Sequence, residues 1–93
     1  MNTVNLGEKI ELQGSHLIDG ATMIVLKKII GNHFREMIEQ RPVDKLLLEI
    51  KKENDFLITA KMLVPDNELN AEISHQNLFV GIDSVLKEIK KQL

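Results

Sequence analysis

The sequence contains no cysteine, no tryptophan and no tyrosine, and phenylalanine is its only aromatic residue, with three copies in 93 positions. The absence of cysteine excludes a thiol nucleophile, a disulfide framework and a cysteine-based zinc site. With so few rings, stacking of nucleic-acid bases on exposed aromatics is not the expected mode of binding. No apolar run approaches the roughly 20 residues of a transmembrane helix, and no signal peptide is visible, so we expect a cytoplasmic protein without a membrane partner.

An excess of positive charge is also missing. Twelve lysines and arginines face fourteen aspartates and glutamates, which gives a formal net charge of −2. Nucleic-acid-binding domains are usually basic, so any binding site for phosphates here must be a local patch. The hydrophobic share of 43% is ordinary for a globular chain, and the length predicts that residues 1–93 form a single domain.

Alternation of apolar and polar residues predicts four strands. The first is 9–13, and Gly14 and Ser15 end it. Three more runs, at 45–51, 56–64 and 69–74, are separated by the polar turn 52–55 and by a turn at Pro65-Asp66-Asn67. Because the connecting turns are short, these three runs predict an antiparallel meander.

Two segments show the 3.6-residue periodicity of helices. The first opens at Asp19-Gly20, with Asp19 as N-cap, and ends near Gln40 because Pro42 disfavours helical geometry before it. Its apolar stripe consists of Met23, Leu26, Ile30, Phe34 and Met37, widened by Val25, Ile29 and Ile38. Asn77 is placed to cap the second helix, whose stripe consists of Leu78, Ile82, Val85, Leu86, Ile89 and Leu93.

The resulting order β-α-β-β-β-α predicts an α+β two-layer sandwich, in which a four-stranded sheet carries both helices on one face. Catalytic patterns are absent. The three histidines, His16, His33 and His75, have no metal-ligand spacing and are expected at the surface. The acidic residues form no convergent pair, and no serine lies in a nucleophile-elbow motif. We therefore expect no enzyme activity, no cofactor and no metal.

Basic residues are the main functional signal. Lys28, Asn32 and Arg35 are spaced to share one stripe of the first helix, and Lys87 and Lys91 share a stripe of the second. If the helices lie side by side, these stripes merge into one surface that reads RNA through its shape and phosphates. The alternative is that these cations only solvate the helices, with Asp83 and Glu88 partly neutralising them.

Residues 61–74 (KMLVPDNELNAEIS) and 75–93 (HQNLFVGIDSVLKEIKKQL) resemble the ribosome hibernation-promoting factors, also called ribosome-associated inhibitors or sigma modulation proteins. That family pairs a strand of the type hVPG-E-hxAxA, where h is apolar, with a helix of the type DhYxAID-hhDKLxxQL. The residues at matching places are Val64, Glu68, Ala71, Asn77, Phe79, Ile82, Asp83, Lys87 and Leu93. The resemblance covers residues 43–93; over residues 10–40 it rests on element order and apolar spacing.

The resemblance implies a fold similar to double-stranded-RNA-binding domains. It also implies a partner, the small ribosomal subunit and its rRNA, and a role in inhibiting translation and preserving inactive ribosomes under stress. Lys87 falls on the family's final-helix lysine, with Lys90 and Lys91 beside it, and the basic character of the first helix carries over to Lys27, Lys28 and Arg35. The sequence departs from the family at Phe79, where tyrosine is common, and at Ser15, where a basic residue is often found.

A second hypothesis belongs to another class of function. Leu47, Leu57 and Leu63 are expected on the outer face of the meander, where exposed apolar side chains favour a protein partner. The chain would then be a protein-interaction module that forms a homodimer through its sheet face.

Overall fold

A computed structural model describes residues 3–7 and 9–93, and for Val4 the backbone only. The chain forms an α+β fold with five strands and two helices. In chain order the elements are β1 (Thr3–Gly7), β2 (Ile10–Gln13), α1 (Gly20–Gln40), β3 (Lys45–Lys52), β4 (Phe56–Val64), β5 (Asn67–His75) and α2 (Leu78–Lys91), with one 3-10 turn at Ser15–Leu17.

The strands form one mixed sheet in the order β1-β2-β3-β4-β5. Strand β2 pairs in parallel with β3, and all other neighbours are antiparallel. The predicted antiparallel meander of the last three strands is confirmed. The prediction of four strands was wrong, because β1 pairs with β2 as an additional edge strand.

Both helices begin at the predicted caps. The Asp19 carboxylate accepts a hydrogen bond from the Thr22 backbone N–H at 2.7 Å, and the Asn77 side chain accepts from the Phe79 and Val80 backbone N–H groups. These bonds satisfy donors that the first helical turn leaves without intrahelical partners. Helix α1 ends where Arg41 becomes extended, as the following proline requires.

The two helices run in the same direction, because each follows a strand of the same orientation. Strand β5 is parallel to β2 by way of β3 and β4. Contacts between the helices advance together along both chains, from His33 with Asp83 to Glu36 with Lys90. No described helix is long and apolar enough to cross a lipid bilayer.

A single hydrophobic core joins both helices to the inner face of the sheet. Leu26, Ile30 and Met37 of α1 are fully buried, as predicted, but Val25 and Ile38, expected to widen this stripe, are 44% and 46% exposed. Burial in β3 and β4 follows the period of two. The core positions of these strands are Leu46, Leu48, Ile50, Ile58, Ala60, Met62 and Val64.

Candidate nucleic-acid interface

Helix α1 exposes three cations. Its buried stripe, built on Leu26 and Ile30, faces the sheet, so Lys28 and Arg35 lie on the side of the helix that faces solvent. Lys27 is exposed as well. Within the described part of the chain, these three side chains form no ion pair and no hydrogen bond, so their charges are available to a ligand.

The three cations of α2 are all paired with carboxylates. Lys87 Nζ lies 2.9 Å from Asp83 Oδ2 one turn earlier, and Lys91 Nζ lies 3.0 Å from Glu88 Oε1. Lys90 reaches across to α1, where its Nζ is 2.9 Å from Glu36 Oε2. All six predicted RNA-binding residues therefore lie on the two adjacent helices, but half of them already have an anionic partner.

Exposure separates these pairs into two kinds. The side chains of Lys87 and Lys91 are 63% and 72% exposed, whereas that of Lys90 is 17% exposed. An exposed ion pair contributes only about 0–1 kcal/mol, so a phosphate can compete for Lys87 and Lys91. Lys90 is mainly an interhelical contact, because its stem is covered and its charge is directed at Glu36.

His33 is the residue that the sequence interpretation placed wrongly. It was expected at the surface, yet it is 8% exposed and is the only polar or charged side chain among the described residues that is buried. Its Nε2 lies 2.7 Å from Asp83 Oδ1. Since a carboxylate only accepts, Nε2–H donates this bond. The sequence did contain a signal, because His33 is three residues after Ile30 and four before Met37, on the buried stripe.

Asp83 therefore links the two helices through a shared carboxylate. One of its oxygens accepts from His33 and the other meets the Lys87 ammonium. These partners, Lys87 first and then His33, lower the pKa of Asp83 below its ordinary value. The hydrogen bond and charge of Lys90 likewise lower the pKa of Glu36. Both carboxylates stay ionised at neutral pH and hold negative charge between the helices.

Charge is nevertheless segregated between the layers of the molecule. The two helices carry six lysines and arginines against four carboxylates. The rest of the chain carries six against ten. A chain that is acidic on average thus presents a helical layer of positive sign, and the three unpaired cations of that layer are on α1.

The outer face of the sheet differs from the prediction. Leu47, Leu57 and Leu63 are half-buried rather than exposed. Their cross-strand neighbours on this face include Lys61 opposite Leu47 and Lys45 opposite Leu63. The aliphatic stems of such lysines cover apolar neighbours while the charges stay in water. Both lysines are in turn paired with glutamates, Lys45 with Glu11 at 2.7 Å and Lys61 with Glu68 at 3.1 Å.

A groove of about 430 Å³ lies between the C-terminal half of α1 and the β1–β2 hairpin. Phe34, Ile38 and Val43 supply much of its apolar lining, and Lys9 and Asp44 are its ionisable residues. The Lys9 ammonium donates to the Val43 carbonyl oxygen at 3.1 Å. Among the described residues, no three histidine or acidic side chains are grouped as metal ligands.

Comparison with protein-family models finds no family that matches this chain. A search of curated proteins finds no significant match either.

Proposed function

We propose that this protein binds RNA through its helical layer and acts, without catalysis, as a ribosome-associated translation inhibitor on the small subunit. One observation carries the proposal: the molecule concentrates its positive charge on two adjacent parallel helices, where Lys27, Lys28 and Arg35 have no anionic partner among the described residues. Without exposed tyrosine or tryptophan, recognition would depend on phosphates and on the shape of the RNA.

The fold supports the same proposal. From β2 onward the elements follow the order β-α-β-β-β-α, with parallel helices joined in one core to the sheet. This arrangement is similar to double-stranded-RNA-binding domains, which contact phosphates and 2′-hydroxyls across the minor groove. The ribosome enters through the resemblance of residues 43–93 to the hibernation-promoting factors, which favours rRNA over other RNA.

The cations of the proposed contact surface differ in how freely their charges can meet an RNA phosphate. Lys28 and Arg35 are its centre, with Lys27 beside them. Lys87 and Lys91 contribute after exchanging a carboxylate for a phosphate, at a cost of about 0–1 kcal/mol each. Lys90 contributes least, because it is 17% exposed and paired with Glu36.

The proposal is tested by measuring cosedimentation with small ribosomal subunits, and binding to a small-subunit rRNA fragment, over a range of salt concentrations. The double variant Lys28→Glu/Arg35→Glu is expected to weaken binding roughly 50-fold at 0.1 M salt, since each lost phosphate contact removes close to one released counterion. It should also lower the magnitude of the slope of log K against log salt by about 2.

Lys51→Glu/Lys52→Glu is the matched control. It makes the same change in net charge at two exposed lysines at the end of β3, outside the helical layer. We expect the control to retain most of the binding and the ability to inhibit translation in a reconstituted system. Equal losses in both double variants, or binding insensitive to salt, would contradict the proposal.

Homodimerisation through the sheet face remains a second proposal, and the structure gives it less support. The three leucines that suggested it are half-buried, and the large apolar side chains that are well exposed, Ile24, Val25, Ile38 and Val80, belong to the helices. Light scattering measures the outcome directly: a dimer lost on Leu47→Lys substitution would support a sheet-face partner, and a monomer at all concentrations would exclude it.

A further inference from the structure

His33 occupies an unusual position for a titratable side chain. Its ring is almost fully buried between α1 and α2, and only Nε2 is bonded, to Asp83. Its Nδ1 is buried without a hydrogen-bond partner. Histidine is the side chain that most readily changes charge between pH 5 and 8. Since Nε2–H already donates to Asp83, a proton gained by the ring would go to Nδ1. The resulting imidazolium would contact the carboxylate that neutralises Lys87.

Four charged side chains of the described helices lie near His33. On α2 these are Asp83, bonded to the imidazole, and Lys87, bonded to the other oxygen of that carboxylate. On α1 the next turn contributes Glu36, which is paired with Lys90 of α2. The buried side chains of the sheet beneath are apolar in the described chain. With a neutral imidazole, two carboxylates balance two ammonium groups.

We propose that protonation of His33 increases RNA affinity by releasing Lys87 from neutralisation. The imidazolium takes over the negative charge of Asp83, 2.7 Å away, and the cluster changes from neutral to a net charge of +1. Lys87 is 63% exposed, so it can turn its ammonium toward a phosphate. This regulation of the site rests on the proposed function, because it acts on the same helical layer.

The direction of the effect follows from which groups titrate. The pKa of Asp83 is held below its ordinary value by Lys87 and His33, so this carboxylate remains charged when the pH falls from 8 to 5.5. We assign the added positive charge to the imidazole of His33, which contacts Asp83. Lower pH therefore strengthens binding, and the added charge acts at Lys87 rather than at Lys28 or Arg35.

The experiment measures the affinity of the full chain for the rRNA fragment at pH 8 and pH 5.5, at 0.1 M salt. Wild type is expected to bind roughly fivefold more tightly at pH 5.5, because Lys87 then reaches a phosphate without first exchanging the Asp83 carboxylate. His33→Gln should lose this increase. His16→Gln and His75→Gln, which remove the other two histidines, should retain it.

Asp83→Asn provides a second measurement at a side chain that is 40% exposed, so it keeps the test decisive where His33→Gln weakens the fold. Removing the carboxylate frees Lys87 at any pH, so affinity at pH 8 should rise about fivefold. The response to pH should shrink, because the imidazolium loses its anionic partner.

The outcomes separate this inference from the proposed function. RNA binding that depends on Lys28 and Arg35 but responds to pH equally in wild type and His33→Gln overturns the role of His33 alone. Absence of RNA binding at both pH values overturns both proposals. A pH response lost in His33→Gln, together with tighter binding of Asp83→Asn at pH 8, supports the assignment.

Discussion

Three glycines show how strongly single positions are constrained. Gly14 has φ +88°, and a Cβ there would overlap the Ile50 carbonyl oxygen. Gly81 lets α2 approach the sheet, because a Cβ would overlap Cδ1 of Ile58. Gly31 is different: it lies within α1, and nothing comes within 4 Å of an added Cβ. Gly14 is required by its backbone geometry, an alanine at 81 would displace the end of the Ile58 side chain, and Gly31 is not constrained by its surroundings.

Gly31→Ala is therefore expected to stabilise the protein by roughly 0.5–1 kcal/mol, because glycine costs about that much relative to alanine inside a helix. Urea denaturation followed by circular dichroism measures the change. Gly14→Ala is the control, and it should be destabilising because its Cβ would overlap the backbone of Ile50. If Gly31→Ala were destabilising too, the open environment of residue 31 would be wrong.

Asp66 is the non-glycine residue with positive φ, +68°, in the described chain. It follows Pro65 in the two-residue turn between Val64 and Asn67. We expect Asp66→Gly to stabilise the fold by up to about 1 kcal/mol, since glycine adopts this conformation without steric cost. Thermal denaturation tests this, with Asp66→Ala expected to be no better than wild type.

Among the helices and strands, the N-cap residues and the hydrophobic periodicity gave most of the correct predictions. The sequence predicted both helices, both N-caps and the antiparallel meander, because each depends on residues close together in the chain. The strand β1 was missed, and its pairing with β2 is irregular, because the register shifts between Asn5 and Gly7. An edge strand of this kind is specified by its pairing with β2, which local patterning does not show.

The two caps offer a comparison between elements. Asn77→Ala should cost about 1 kcal/mol at any pH, because the lost amide oxygen accepts from two backbone N–H groups. Asp19→Ala should also destabilise at neutral pH, but this difference should vanish in acid. The hydrogen bonds from Thr22 lower the pKa of Asp19, so its contribution is present above its ordinary value of 3.8 and is lost as the pH falls through the lower folded pKa. Urea denaturation at pH 7 and pH 2 measures both differences.

The sequence predicted which cations lie on the two helices, but it did not predict all of the carboxylates with which they pair. The helical spacing correctly brought all six cations onto two helices, and it also anticipated the pairing of Lys87 with Asp83. The contact between Lys90 and Glu36 depends on which sides of α1 and α2 meet, and this is decided by packing on the sheet. The same packing buries His33 against Asp83.

For the whole molecule, three carboxylates with lowered pKa values predict sensitivity to acid. Asp19, Glu36 and Asp83 each favour the ionised state in the folded protein. Their contributions are complete above ordinary values of 3.8 to 4.5 and decline as the pH falls through the lower folded values. The urea midpoint should therefore decrease below about pH 4. Asp83→Asn should show a shallower decrease than wild type, and an identical profile would contradict this assignment.

The parallel pairing of β2 with β3 has a consequence for how the chain assembles. Ile10 pairs with Leu46, and the whole of α1 separates these two residues in the sequence. Strands β3, β4 and β5, in contrast, are joined by short turns. Closing long loops costs more conformational entropy than closing short ones, and distant contacts slow folding. We expect the three-stranded meander to form early and the N-terminal hairpin to dock late. During synthesis, therefore, β2 leaves the ribosome well before β3, the strand with which it pairs in parallel.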